Sequence, residues 1–293
     1  MASIKLKGDT SGELTITVPA VAGTNTLTLP ASTGSIIVNT TGGDETNTGF
    51  GNDALDAITT GSNNSAFGAD ALGANTEGAS NVAVGEAAMD ANTTGGSNVA
   101  VGRDALGANT SGSFNQAFGR NALLTNTTGQ YNNAFGNDAL KVNTASSNSA
   151  FGHAALVANT TGALNTAVGA NALSSNISGG DNVAVGNNAL TVSTGSRNTA
   201  LGYNAMTDTT SGQDNTAVGF GSLGNNTTAS YNVAVGRSSM SVNTTGTVNT
   251  AVGYQSLKGN TTGGYNVAIG HESMLTNTTG ITNTALGNNA LRG

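Results

Sequence analysis

A repeat of 17 residues limits what this chain can fold into more tightly than any other feature. The Gly closing each Ala-Val-Gly-like triplet recurs at Gly51, Gly68, Gly85, Gly102, Gly119, Gly136, Gly152, Gly169, Gly186, Gly202, Gly219, Gly236, Gly253, Gly270 and Gly287. These fifteen anchors are 17 residues apart, except for two steps of 16 from Gly136 to Gly152 and from Gly186 to Gly202. The unit reads Asn-x-Ala-Val-Gly-x-x-Ala-Leu-x-x-Asn-Thr-Thr-Gly-x-x. A unit this short cannot enclose a core of its own and must bury its apolar side chains against neighbouring copies. The period therefore predicts an all-β chain, a parallel β-solenoid or β-roll of fifteen repeats. With one rung per unit at the inter-strand spacing, the rod would be roughly 70 Å long.

Composition supports strands and turns. Charged residues make up 9% and aromatics 4% of the 293 residues, with 43 Gly, 2 Pro and no Cys. Average chains are about 25% charged, so Asn, Thr and Ser carry the solubility here. The same bias also suits disorder, but disordered chains lack apolar residues at fixed positions. Leu or Met stands four residues after every anchor, from Leu55, Leu72 and Met89 to Leu291. The net charge is −7; residues 1–150 hold 12 acids against 5 bases and residues 151–293 hold 4 against 4. No basic stripe exists to neutralise phosphates, which argues against a nucleic-acid partner. No run approaches the ~18 apolar residues of a membrane span, and the start MASIKLKGDTSGE lacks the apolar centre of a secretory signal.

Residues 1–42 stand apart from the repeat. They hold both prolines, Pro19 and Pro30, and read as short strands at Ser3–Lys7, Glu13–Val18, Asn25–Leu29 and Ser35–Val38. The expected organisation is an attachment or cap segment over 1–42 and the solenoid over 43–293.

Within a unit, Asn-x-Ala-Val-Gly reads as a strand whose side chains alternate between two faces. The pre-anchor position holds only Val, Phe, Leu or Ile (Phe67, Val84, Leu201, Ile269), as a packed core needs. The opposite face carries Ala in fourteen units and Gly49 in the first. So small a face predicts close approach of partner chains around an axis, hence a homotrimer. The Asn four residues before the anchor occurs in all fifteen units: Asn47, Asn64, Asn81, Asn98, Asn115, Asn132, Asn148, Asn165, Asn182, Asn198, Asn215, Asn232, Asn249, Asn266 and Asn283. Stacked at ~4.8 Å, these side chains would form a hydrogen-bonded structural ladder. The Asn-Thr-Thr-Gly block (Asn92–Gly95, Asn126–Gly129, Asn159–Gly162, Asn277–Gly280) has the residues of a tight turn, and also matches glycosylation sequons.

Catalytic motifs are absent from the pattern, and no enzyme activity or cofactor is expected. His153 and His271 occupy equivalent post-anchor positions, which in a trimer would make rings of three; the variable company at that position marks them instead as surface residues, and no metal site is assigned. Asp44, Glu45, Asp53 and Asp56 read as a solvated acidic face rather than a calcium site. No acid pair recurs as a polysaccharide-cleaving site requires. The candidate contact residues are aromatics at variable positions. Tyr131, Tyr231 and Tyr265 share the position before the strand Asn with Phe114, and Tyr203 and Tyr254 share the post-anchor position with Phe220. Rings amid Asn and Thr suit contact with glycans.

The Asn-x-Ala-Val-Gly-x-x-Ala/Ser pattern over residues 44–293, as in Asn198–Met206 (NTALGYNAM) and Asn249–Leu257 (NTAVGYQSL), resembles two groups. One is the head of YadA-type trimeric autotransporter adhesins, trimeric parallel β-rolls with a shorter repeat. The other is the repeat region of phage tail fibres, to whose attachment-end segments Asn25–Val38 (NTLTLPASTGSIIV) is also similar. Without a signal peptide or membrane anchor, the phage resemblance leads. It implies a homotrimeric virion fibre or adhesin, made in the host cytoplasm, held to other virion proteins through residues 1–42, and reaching a host glycan or receptor without nucleic-acid binding or membrane insertion. A cell-surface adhesin head and a monomeric ice-binding solenoid are the alternatives.

Overall fold

The computed structural model describes residues 3–7, 13–17 and 35–39, at the level of the backbone, and residues 47–293. The expected strand at Asn25–Leu29 and the acids Asp44 and Glu45 lie outside the described residues. The chain divides into two compact units, Met1–Thr33 and Gly34–Gly293. In the first, β1 (Ser3–Lys7) and β2 (Glu13–Thr17) form an antiparallel pair with Ser3 opposite Thr17 and Lys7 opposite Glu13. In the second, β3 (Ser35–Asn39) pairs antiparallel with β4 (Asn47–Gly51), so it covers the first edge of the repeat sheet.

From β4 onward, fifteen strands are stacked in parallel, one per repeat. After β4 each has three residues: β5 (Ser65–Phe67), β6 (Val82–Val84), β7 (Val99–Val101), β8 (Gln116–Phe118), β9 (Asn133–Phe135), β10 (Ser149–Phe151), β11 (Thr166–Val168), β12 (Val183–Val185), β13 (Thr199–Leu201), β14 (Thr216–Val218), β15 (Val233–Val235), β16 (Thr250–Val252), β17 (Val267–Ile269) and β18 (Thr284–Leu286). The register is exact from rung to rung: Ala150 pairs with Ala167, Ala167 with Ala184 and Ala184 with Ala200. This is a β-solenoid with the sequence period as its turn.

Outside the strands the backbone keeps bonding from turn to turn. Leu72 N–H donates to Ala88 carbonyl at 3.0 Å, Thr93 N–H to Thr110 carbonyl at 2.9 Å and Gly102 N–H to Val84 carbonyl at 2.8 Å. Left-handed residues make the corners. The second residue after the anchor has φ near +57°, as at Asp70 (58°), Asn121 (57°) and Asn171 (57°), and Asp and Asn tolerate that region best. The buried Leu or Met is also left-handed, as at Leu156 (53°) and Met206 (51°). A left-handed bulky residue costs about 1–2 kcal/mol, while full burial of a Leu side chain stabilises by about 1.5–3 kcal/mol. Burial wins, so the inward position keeps Leu.

The anchor glycines are required on two counts. Gly169 sits at φ +128°, and a Cβ there would fall on the Gly186 carbonyl of the next turn. The same clash recurs at the other anchors up to Gly270.

The interior contradicts the expected division of the strand faces. The Ala face is the core of the single chain: Ala66, Ala83, Ala100, Ala117 and their successors are fully buried, packed with the Leu/Met column and with Ala71, Ala88 and Ala105 from the column before it. The pre-anchor column points outward, with Phe67 44% and Leu201 46% exposed. The reason is the bore of the turn. A 17-residue loop leaves room inside for one Leu and small residues, so the larger pre-anchor side chains face out. The small face thus needs no partner chain to explain it.

The asparagine ladder is present, and it does more than stack. Each carboxamide oxygen accepts the backbone N–H of the Asn one turn on, from Asn64 to Asn47 (2.9 Å), through Asn165 to Asn148 (3.0 Å), to Asn283 to Asn266 (3.0 Å). From Asn47 to Asn266 each carboxamide nitrogen also donates to the carbonyl of a turn residue thirteen or fourteen positions on, as from Asn148 to Gly162 (2.8 Å) and from Asn249 to Gly263 (2.8 Å).

Two variants test this core. Asn148→Ala leaves the Asn165 N–H unpaired in the interior, at about 1–3 kcal/mol, and takes from the Gly162 carbonyl one of its two carboxamide donors, whereas exposed Asn187→Ala should stay within about 0.5 kcal/mol. Gly169→Ala should cost at least the ~1–3 kcal/mol of a forced backbone conformation, with the clash in addition. Urea unfolding followed by far-UV circular dichroism reads all three, and equal midpoints for Asn148→Ala and Asn187→Ala would refute the ladder's role.

Candidate functional site

In-register stacking turns each position of the repeat into a column along the solenoid, and the exposed columns are the candidate contact surfaces. Three matter. The pre-anchor column runs from Phe50 to Leu286 and contains a stacked aromatic run, Phe118 on Phe135 (centroids 4.6 Å apart) and Phe135 on Phe151 (4.9 Å). Beside it on the same face lies the first strand residue, with Val82, Val183 and Val233 exposed.

The corner column precedes the strand Asn and holds Tyr131, Tyr231 and Tyr265, all exposed and all left-handed at φ 58°, 62° and 59°. Phe114 stacks on Tyr131 with centroids 5.1 Å apart and planes 2° from parallel. Tyr231 and Tyr265 are separated by Val248, itself exposed. The post-anchor column holds Tyr203, which stacks on Phe220 (5.3 Å), and Tyr254, which stacks on His271 (5.1 Å). Corner and post-anchor columns flank the strand at its two ends, about 20 Å apart for six extended residues. The five tyrosines therefore form two sites, and the structure does not bring them into one.

Of the fifteen ladder asparagines, those from Asn47 to Asn266 are buried and closed to ligands, and Asn283 in the last turn is half-buried. The sequon asparagines are spent as well. Asn92 is buried and its carboxamide nitrogen donates to Asn75 Oδ1 (2.7 Å) and to the Gly95 carbonyl (3.0 Å). Asn159 bonds Asn143 (2.7 Å) and Gly162 (2.8 Å) in the same way. The turn asparagine is thus a second buried ladder, beyond the tight turn and sequon that its sequence suggests. Its near-constancy from Asn75 to Asn176 and from Asn226 to Asn277 was the available signal. It breaks at Ser193 and Thr209, whose buried hydroxyls find no partner.

Among the described residues the titratable groups lie at the surface or partly buried, and burial gathers no reactive constellation. Hydrogen bonding from Asn121 (2.9 Å), aided by Lys141 at 3.3 Å, holds the Asp138 carboxyl below its ordinary range. Arg197 does the same to Asp214 across one turn at 2.7 Å. Partial burial, with the Asp70 charge nearby, raises Asp90. His153 and His271 are exposed, and among the described residues no three His, Cys, Asp or Glu side chains come together as metal ligands. Among the described residues no helix is long and apolar enough to cross a membrane.

No family model, curated protein or solved structure matches this chain.

The Asp138 cluster makes a testable prediction. A carboxyl whose folded pKa is depressed contributes stability above its unfolded pKa and loses it as pH falls through the folded value. Carboxyl NMR titration should place Asp138 below the ordinary aspartate value, and Asn121→Ala should move it upward. An unmoved titration would assign the shift to the Lys141 and Arg120 charges instead.

Proposed function

We propose that this chain is the shaft of a host-attachment fibre on a phage or phage-like particle, that it assembles as a homotrimer, and that its exposed tyrosines meet surface glycans. The observation that carries the reading is the outward pre-anchor column. Fifteen rungs, about 70 Å long and about 10 Å wide, give a largely apolar strip of roughly 700 Å². Monomeric soluble proteins rarely expose larger patches than about 300–600 Å², while a standard interface covers about 800 Å² per partner. The occupant that fits is further copies of this chain in parallel register. Only another copy repeats Val, Phe, Leu or Ile at the same spacing, rung against rung. Three as the number of copies comes from the resemblance to trimeric β-rolls. The axis thus lies on the pre-anchor face rather than on the Ala face.

The attachment role of residues 1–42 and the virion setting rest on the same resemblance, and the rod-like repeat suits a spacer that presents many weak contacts at once. An ice-binding reading has less support, because the first turn threonines spend their hydroxyls on carbonyls of the next turn, as Thr93 does on Thr110 (3.0 Å).

Native mass tests the proposal. The expected value is three times the 28.6 kDa of the chain. The pair Val218→Asp and Val235→Asp, outward on adjacent rungs, should yield monomers that keep their β-sheet circular dichroism. A monomeric wild-type chain would overturn the fibre reading.

A further inference from the structure

Between Tyr203 and His271 the post-anchor column carries planar side chains on five consecutive rungs: Tyr203, Phe220, Arg237, Tyr254 and His271. All five are exposed. Tyr203 and Phe220 lie 14° from parallel, the Arg237 guanidinium sits 5.5 Å from the Phe220 centroid, and Tyr254 and His271 lie 23° from parallel. In such stacks the ring faces cover one another, so the edges meet solvent. An aromatic edge is the positive part of the ring quadrupole.

Arg237 adds a full charge to this row. It makes no ion pair among the described residues, whereas Arg103, Arg197 and Arg292 each contact a carboxylate. The one carboxylate adjoining the column in these rungs, Glu272, is engaged by Arg292 at 3.0 Å. Stacking on Phe220 leaves the guanidinium N–H edge available to an anion.

We propose that this ribbon binds an extended polysaccharide bearing carboxylates at intervals, laid parallel to the solenoid axis. Arg237 takes a carboxylate, and Tyr203, Phe220 and Tyr254 pack beside the neutral sugars between. The rungs repeat at about 4.8 Å, close to the advance of one pyranose in an extended chain, so successive sugars meet successive side chains. A nucleic acid fits less well, since its phosphates at every step call for many cations. The ribbon holds one arginine on a chain of net charge −7. The site deepens the glycan-contact reading and rests on it only for its biological setting.

Calorimetric titration of the full chain tests the assignment with four probes: a hyaluronan hexasaccharide, a mannuronate hexamer, neutral chitohexaose and the oligonucleotide dT12. A carboxylated probe should bind about tenfold or more tightly than chitohexaose, and Arg237→Ala should erase that margin. Arg237→Lys should retain part of it. The pair Tyr203→Ala and Phe220→Ala should weaken every sugar, and Ile177→Ala, exposed on a turn away from both tyrosine columns, should change nothing. The assignment fails if neither carboxylated probe outbinds chitohexaose, if Arg237→Ala binds like wild type, or if dT12 binds as tightly as the carboxylated sugars. It also fails if the Tyr203/Phe220 pair alters the native mass, which would place the ribbon in a subunit interface. A trimer indifferent to carboxylated sugars sinks only the ribbon, and a monomer that binds them through Arg237 sinks only the fibre.

Discussion

The buried carboxamide of the strand asparagine is the interaction on which the rest depends. A solenoid turn this narrow cannot be held open or shut by apolar packing alone, because its interior admits one Leu or Met and a few alanines per rung. The Asn side chain joins the strand to the turn glycine through a carbonyl, as Asn148 to Gly162, and to the next turn through a backbone N–H. It therefore sets both the width of a turn and the distance to the next. An Asp would keep the acceptor, lose the donor and bury a charge; a Gln would not fit the same span.

Around that link the local costs become intelligible. The left-handed Leu is tolerated because its burial outweighs its strain. The anchor Gly is there because the next turn's carbonyl occupies the space of a Cβ. Where the Ala beside the Leu gives way to Ser239 and Ser256, the buried hydroxyls donate to the Ala251 and Ala268 carbonyls at 3.1 and 2.7 Å, so the polar change is absorbed. Ser193 and Thr209 are the contrary case, two shortened side chains that leave a gap in the second ladder.

Much of this was legible in the sequence. The period fixed the turn, the Leu four residues past each anchor marked the interior, and the constant Asn announced the ladder. The direction of the strand faces was not legible. Alternation separates two sets of side chains but does not say which set is inside, and both columns, Ala and Val, were constrained enough to pass for core. The bore of the turn decides it, and that emerges only when the corners at Asp70, Leu72 and Asn75 are built. The second ladder was hidden for a related reason: Asn-Thr-Thr-Gly is good turn chemistry, and nothing in composition shows that its Asn points inward. The candidate contact columns were found by position, but their division into two strips follows only from the strand between them.

The equivalence of the turns bears on how such a chain changes over time. Each rung offers the following one the same carboxamide oxygen, the same carbonyls and the same strand edge that it received from the one before. Removing or duplicating a whole unit rejoins like with like, so no bond in the interior registers the event. The two 16-residue units show that a corner can lose one of its Thr-Thr residues while the strands stay aligned, Asn133 with Ser149 and Val183 with Thr199. Unequal recombination among such units would therefore alter reach in steps of one rung and shuffle which exposed side chains stand side by side, at little risk to folding.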